Sequence, residues 1–145
     1  MTSSPTVPAA RPAVSGRERR IAMVLLALYL VVAALIAFWP EPVDRGAVGL
    51  LHRIETMFPW ATYGRIEFSA NIVYFVPFGW LLTVVLDRAR LLVLPIGIAV
   101  TLTIELIQGE LLAERTASIM DVVANTIGTA LGMLAAVIVS MVRRR

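Results

Sequence analysis

The sequence predicts an all-α membrane protein: a four-transmembrane-helix bundle with an extracytoplasmic amphipathic helix between spans 1 and 2. Three observations predict it. Hydrophobic residues make up 59% of the 145 residues and mean hydropathy is +0.82, more apolar surface than a core of this size can bury away from water. The apolar residues come in long uncharged runs. The charges sit mostly beside those runs, where they report topology.

Ile21–Trp39 is a run of 19 residues without a charge, enough for about 28 Å of helix across a hydrocarbon core of about 30 Å. No small-residue cleavage site follows it. Instead Phe38-Trp39-Pro40 suits an interfacial anchor and a helix exit, so the segment reads as an uncleaved span. Residues 1–15, rich in Pro, Ser, Thr and Ala, read as disordered; with the Arg-rich stretch to Arg20 they form a cytoplasmic tail, 1–20. A single membrane domain follows, 21–145.

In the long connection after span 1, Ala47, Leu50, Leu51, Ile54, Met57 and Phe58 recur at helical spacing, with Arg45, His52, Arg53 and Glu55 off that stripe. Asp44 can cap this segment and Pro59 can end it, giving an amphipathic helix on the membrane or over the bundle. Span 2 is the uncharged run of about 68–86, interrupted by Asn71, Pro77 and Gly79. A short Asp87–Arg90 connection leads to span 3, about 91–108, which meets Glu105 and Gln108. Span 4, about 119–142, has Asp121 as its only charge.

The basic residues number 13, all Arg. With the N-terminus inside, nine fall on inner segments (Arg11, Arg17, Arg19, Arg20, Arg88, Arg90 and the last three) and four outside (Arg45, Arg53, Arg65, Arg115). That bias places both termini in the cytoplasm and the protein in the plasma membrane. The same placement argues against a nucleic-acid partner. There is no Cys and one His, His52, which removes thiolate nucleophiles and multi-histidine metal sites. No cofactor motif is present.

Orientation turns the scattered polar residues into a pattern. Glu105 lies about 21 Å up span 3 from Leu91, and Gln108 about 26 Å. Asn71 enters from the outside, and Asp121 and Asn125 occupy the first two turns of span 4. With Arg115, these residues converge in the extracytoplasmic third of the bundle. Glu105 and Gln108 share a helix face, as do Asp121, Asn125, Gly128 and Gly132. The Gly128/Gly132 spacing permits close helix approach, and Pro77 frees a backbone carbonyl.

Two readings of this cluster stand side by side. Ionisable and amide groups in lipid either join helices by hydrogen bonds and neutralise Arg115, or they line a polar pocket open to the outer surface. A divalent metal between Glu105 and Asp121 lacks a clear third ligand.

The order Asn71-x-x-x-Phe75-x-Pro77-Phe78-Gly79, then Glu105-x-x-Gln108, Arg115, and Asp121-x-x-x-Asn125-x-x-Gly128-x-x-x-Gly132 resembles the VanZ-like family of small bacterial membrane proteins. The resemblance implies a cell-envelope role, linked through the family's name to low-level teicoplanin resistance. It brings no reaction with it, so the motif residues transfer as a site without assigned roles. The preferred expectation is a non-enzymatic protein whose partners are the lipid bilayer and an anionic amphiphile or peptide-bearing, lipid-linked envelope ligand. Arg115 would bind the anion, and Asn71, Gln108 and Asn125 would supply directional hydrogen bonds. The alternatives are an intramembrane enzyme using Glu105 or Asp121 as acid or base, and a scaffold for a membrane-protein partner. Ser69 and Ser118 lack a nearby His base, which counts against the enzyme.

Overall fold

The computed structural model describes residues 14–39, 46, 48–111 and 117–143. Residues 1–13 of the tail, Asp44 (the expected cap of the amphipathic helix), Ala47 and Arg115 lie outside them. The described residues are all helical or connecting: α1 Gly16–Ala37, α2 Val48–Met57, α3 Tyr63–Val85, a 3₁₀ turn Arg90–Leu92, α4 Val93–Leu111 and α5 Ile119–Val142. Four of the helices, all but α2, are long and apolar enough to cross a membrane.

Local chemistry sets the helix ends. α1 begins five residues before the apolar run, so residues 16–20, expected in the tail, are helical. Ser15 caps the helix: its Oγ accepts from the Glu18 N–H at 3.2 Å, and Glu18 Oε2 accepts from the Ser15 N–H at 3.1 Å. This reciprocal pair satisfies two of the backbone donors a helix start leaves open. α3 starts at Tyr63 rather than at the first uncharged residue, Phe68, and its added turn holds Arg65, whose Nη1 donates to the Trp60 carbonyl at 2.7 Å. Pro77 lacks the N–H that would bond the Val73 carbonyl, yet α3 runs on unbroken to Val85.

The outward faces are apolar. Val24, Leu28, Val31 and Leu35 of α1 are 59–60% exposed, and Val73, Leu106 and Leu134 of the other spans also face out. Such a surface is stable only against hydrocarbon, and continuous helices satisfy their own backbone there. The bundle sits in a lipid bilayer.

α3 and α5 run parallel and form the most extensive helix pair; α4 packs on α5 and α1 on α3. Phe75, Phe78, Leu82 and Val93 make the core cluster. The Phe75 and Phe78 rings meet edge to face with centroids 5.7 Å apart, the arrangement their quadrupoles favour. The α3–α5 pair is close because glycine faces backbone across it. A Cβ at Gly128 would overlap the Ile72 carbonyl, one at Gly132 the Val76 carbonyl, and one at Gly79 the Thr129 carbonyl. Without a hydrophobic force between helices in lipid, this close dispersion contact drives association.

At the other side of the bundle, the Tyr29 hydroxyl donates to the Tyr74 carbonyl at 2.7 Å and fixes α1 on α3. Arg143 at the end of α5 pairs with Glu18 at the start of α1, Nη1 to Oε1 3.2 Å. Both ends of the four-span bundle therefore meet on one side.

α2 takes no part in the principal helix pairs. Its Leu50, Met57 and the following Phe58 and Trp60 are exposed, whereas Leu51 and Ile54 are half-buried. The exposed apolar residues suit the membrane interface. Leu51→Asp is expected to reduce the amount of folded, inserted protein several-fold, while His52→Ala leaves it unchanged. Quantifying detergent-extracted monomer by size-exclusion chromatography checks this, and equal behaviour of the two variants would reverse the assigned face.

Candidate functional site

The polar residues of α4 lie on one stripe. Thr101, Glu105 and Gln108 follow at spacings of four and three, about 10 Å along the helix in total. All three are buried, as are Asn125 and Thr129 on the facing stripe of α5. Burial of polar groups in lipid is tolerated only when they are hydrogen-bonded, and most of these are.

Gln108 reaches the far end of α1: its Nε2 donates to the Ala37 carbonyl at 2.9 Å, one of the carbonyls a helix C-terminus leaves without a partner. Glu105 reaches the start of α5, where its Oε2 accepts the Ser118 N–H at 2.6 Å. A carboxylate at a helix N-terminus also meets the positive end of the helix dipole. Ser118 is the N-cap of α5, and its Oγ accepts from the Asp121 N–H at 3.3 Å. Asp121 is half-buried in that first turn.

One turn deeper, Asn125 Nδ2 donates to Thr101 Oγ1 at 2.8 Å. Thr129 Oγ1 donates to the Asn125 carbonyl at 2.9 Å, and its side chain lies against Gly97 of α4, where a Cβ would come within 2.8 Å of Thr129 Cγ2. Asn125 Oδ1 is buried and has no hydrogen-bond partner among the described residues.

The structure thus gathers Glu105, Gln108, Asp121 and Asn125 around the ends of α1, α4 and α5. Asn71 is half-buried on α3, next to the Ile72 carbonyl that faces Gly128, and makes no side-chain hydrogen bond among the described residues. Arg115 belongs to the α4–α5 connection in sequence and lies outside them. Among the described residues no three His, Cys, Asp or Glu side chains cluster to hold a metal.

Thr101 and Thr129 are the site residues that reading the sequence passed over. Threonine in an apolar helix carries no signal by itself. Their positions do, since Thr101 is one turn below Glu105 and Thr129 one turn below Asn125.

A family model described as VanZ/LLP1 matches residues 25–140. The chain belongs to the VanZ/LLP1 family. The match begins within α1 and ends within α5, takes in α3 and α4 whole, and includes Asn71, Glu105, Gln108, Arg115, Asp121 and Asn125. No curated protein and no solved structure matches the chain. The VanZ-like resemblance of the ordered motifs is therefore a family membership, and the protein is a multi-pass membrane protein of that family.

Proposed function

We propose that this VanZ/LLP1 protein is a cell-envelope component of the plasma membrane that binds an anionic amphiphile or peptide-bearing ligand at the outer end of the bundle. Both termini are cytoplasmic in this reading, and Arg115 meets the ligand's phosphate or carboxylate. The observation that carries it is Asn125: 5% exposed, with Oδ1 unpartnered among the described residues. A buried acceptor left unmade costs about 1–3 kcal/mol, and a ligand N–H or O–H would recover that. Peptide amides and sugar hydroxyls carry such donors beside an anionic group, which ties the reading to envelope precursors and to teicoplanin-type resistance.

A second reading, joining of helices, is favoured by the Gln108–Ala37 and Glu105–Ser118 bonds, which bind helix ends to one another. The two separate by mass spectrometry of lipids retained by purified protein. Binding predicts one anionic species at fixed stoichiometry in the wild type, lost at least tenfold in Arg115→Ala while the helical content is kept. Identical lipid profiles in the two proteins would leave only the joining role.

Topology has its own test, simple in a chain without cysteine. Thr62→Cys, at an exposed position whose side chain makes no capping bond, is expected to react with an impermeant thiol reagent in intact cells. Ser4→Cys is expected to react only after permeabilisation. The reverse pattern would turn the bundle over and place the cluster in the inner leaflet.

A further inference from the structure

At the end of the bundle opposite Glu105, α1 and α5 both pack on α3 and leave between them a cleft of about 480 Å³. Its floor is Trp80, Leu81 and Val84 of α3, and its walls include Ile21, Leu25 and Val139. The mouth is charged. Glu18, Arg90, Ser140 and Arg143 line it, and Arg143 Nη1 contacts Glu18 Oε1 at 3.2 Å. Arg90 pairs with Asp87 and reaches Ser140 Oγ at 3.5 Å, while its buried Nε has no hydrogen-bond partner among the described residues. The Val14 N–H donates to Asp87 Oδ2 at 3.1 Å, so the start of α1 is tied to the α3–α4 turn and frames the mouth.

We propose that this cleft is a site for one anionic phospholipid, with an acyl chain along Trp80 and the phosphate at Arg90 and Arg143. Four features select that occupant. The trough is apolar and continuous with the lipid-facing surface of α1, as an acyl chain requires. It extends from Glu18 to Leu25, about 10 Å along α1, which fits inside one leaflet of about 15 Å; a partner transmembrane helix would need contact over the full thickness. The rim carries Arg90 and Arg143, with Glu18 and Asp87 beside them, and Arg17, Arg19, Arg20 and Arg88 belong to the same end of the bundle, at the start of α1 and in the α3–α4 turn, so the field favours an anion and opposes both a choline head group and an Arg-rich peptide. Arg90 Nε, buried and without a partner among the described residues, supplies a desolvated donor for a phosphate oxygen.

Trp80 is a built-in reporter. With Trp39→Phe and Trp60→Phe it becomes the sole tryptophan, and the protein is reconstituted into phosphatidylcholine vesicles containing brominated phosphatidylglycerol or, separately, brominated phosphatidylcholine. Quenching of Trp80 is expected to show a preference of about fivefold for the anionic lipid, the effect of about one arginine at a membrane surface. Arg90→Gln with Arg143→Gln should bring the ratio to about one. Val139→Phe, which fills the trough and keeps every charge, should do the same. Equal quenching by the two lipids in the parent protein would overturn the proposal, as would weak quenching by both, which would mean that a second copy or the chain's own tail covers Trp80. A preference that survives Val139→Phe would assign the effect to the Arg-rich surface instead and would also overturn it. Arg115 is untouched in every variant, so the result is independent of the outer cluster.

Discussion

Gly132→Val is expected to destabilise the bundle by about 3 kcal/mol or more, the upper end of what overpacking costs. The new side chain would meet the backbone of Val76 and Trp80 on α3. A clashing side chain can rotate away, but a helix backbone cannot move without the whole helix moving. Because Gly79 and Gly128 lock the same interface, displacement at one glycine loosens the other two. Gly49→Ala in α2 is the control: nothing lies within 4 Å of its Cβ position, and a substitution away from contacts changes stability by no more than about 0.5 kcal/mol. Thermal unfolding in detergent, followed by helical circular dichroism, compares the two. Similar midpoints would mean that α3 and α5 do not pack through these glycines.

Arg115→Met is expected to have a comparable effect for an electrostatic reason. If Arg115 neutralises the carboxylates of Glu105 and Asp121, its removal strands charge in a lipid environment, a loss of about 3–5 kcal/mol. Adding Glu105→Gln or Asp121→Asn should then recover part of the stability. Glu105→Gln is the more informative partner, because the glutamine retains an oxygen to accept the Ser118 N–H at the start of α5. The full set of single and double variants forms a cycle whose non-additivity measures coupling. An envelope-antibiotic susceptibility assay on the same set divides the two roles. Activity that stays lost in a rescued protein marks Arg115 as a ligand-binding residue; activity that returns marks it as a joining residue. Strictly additive stabilities would show that the three residues do not act together.

Much of the fold is legible from spacing, and the exceptions have identifiable causes. α5 occupies Ile119–Val142, the run expected for span 4, because Ser118 caps its start and apolar character persists to Arg143. α1 and α3 extend beyond their apolar runs since helix ends obey capping and polar contacts as well as hydropathy, as at Ser15 with Glu18 and at Arg65 with Trp60. At the polar cluster, helical spacing is enough to set Glu105 with Gln108 and Asp121 with Asn125 on shared faces. It says nothing of their partners. Gln108 meets a carbonyl 71 residues away, and Thr101 is paired with Asn125 across two helices; neither link leaves a trace in local sequence.

The sequence by itself determined the membrane class, the number of spans, the amphipathic connection and the polar stripes, because lipid compels each segment to satisfy its own backbone and hydropathy is a local property. Tertiary structure alone decided that α3 and α5 form the central pair, that Gln108 closes the end of α1, and that Asn125 keeps an oxygen without a partner among the described residues. It also opened a cleft at the Arg-rich end, where nothing in the spacing of Ile21, Trp80 and Val139 brings them together. These features depend on which helix faces meet and how closely their backbones approach. That choice rests on contacts between residues far apart in the chain, with Gly79, Gly128 and Gly132 setting the distance at which every other side chain finds its partner.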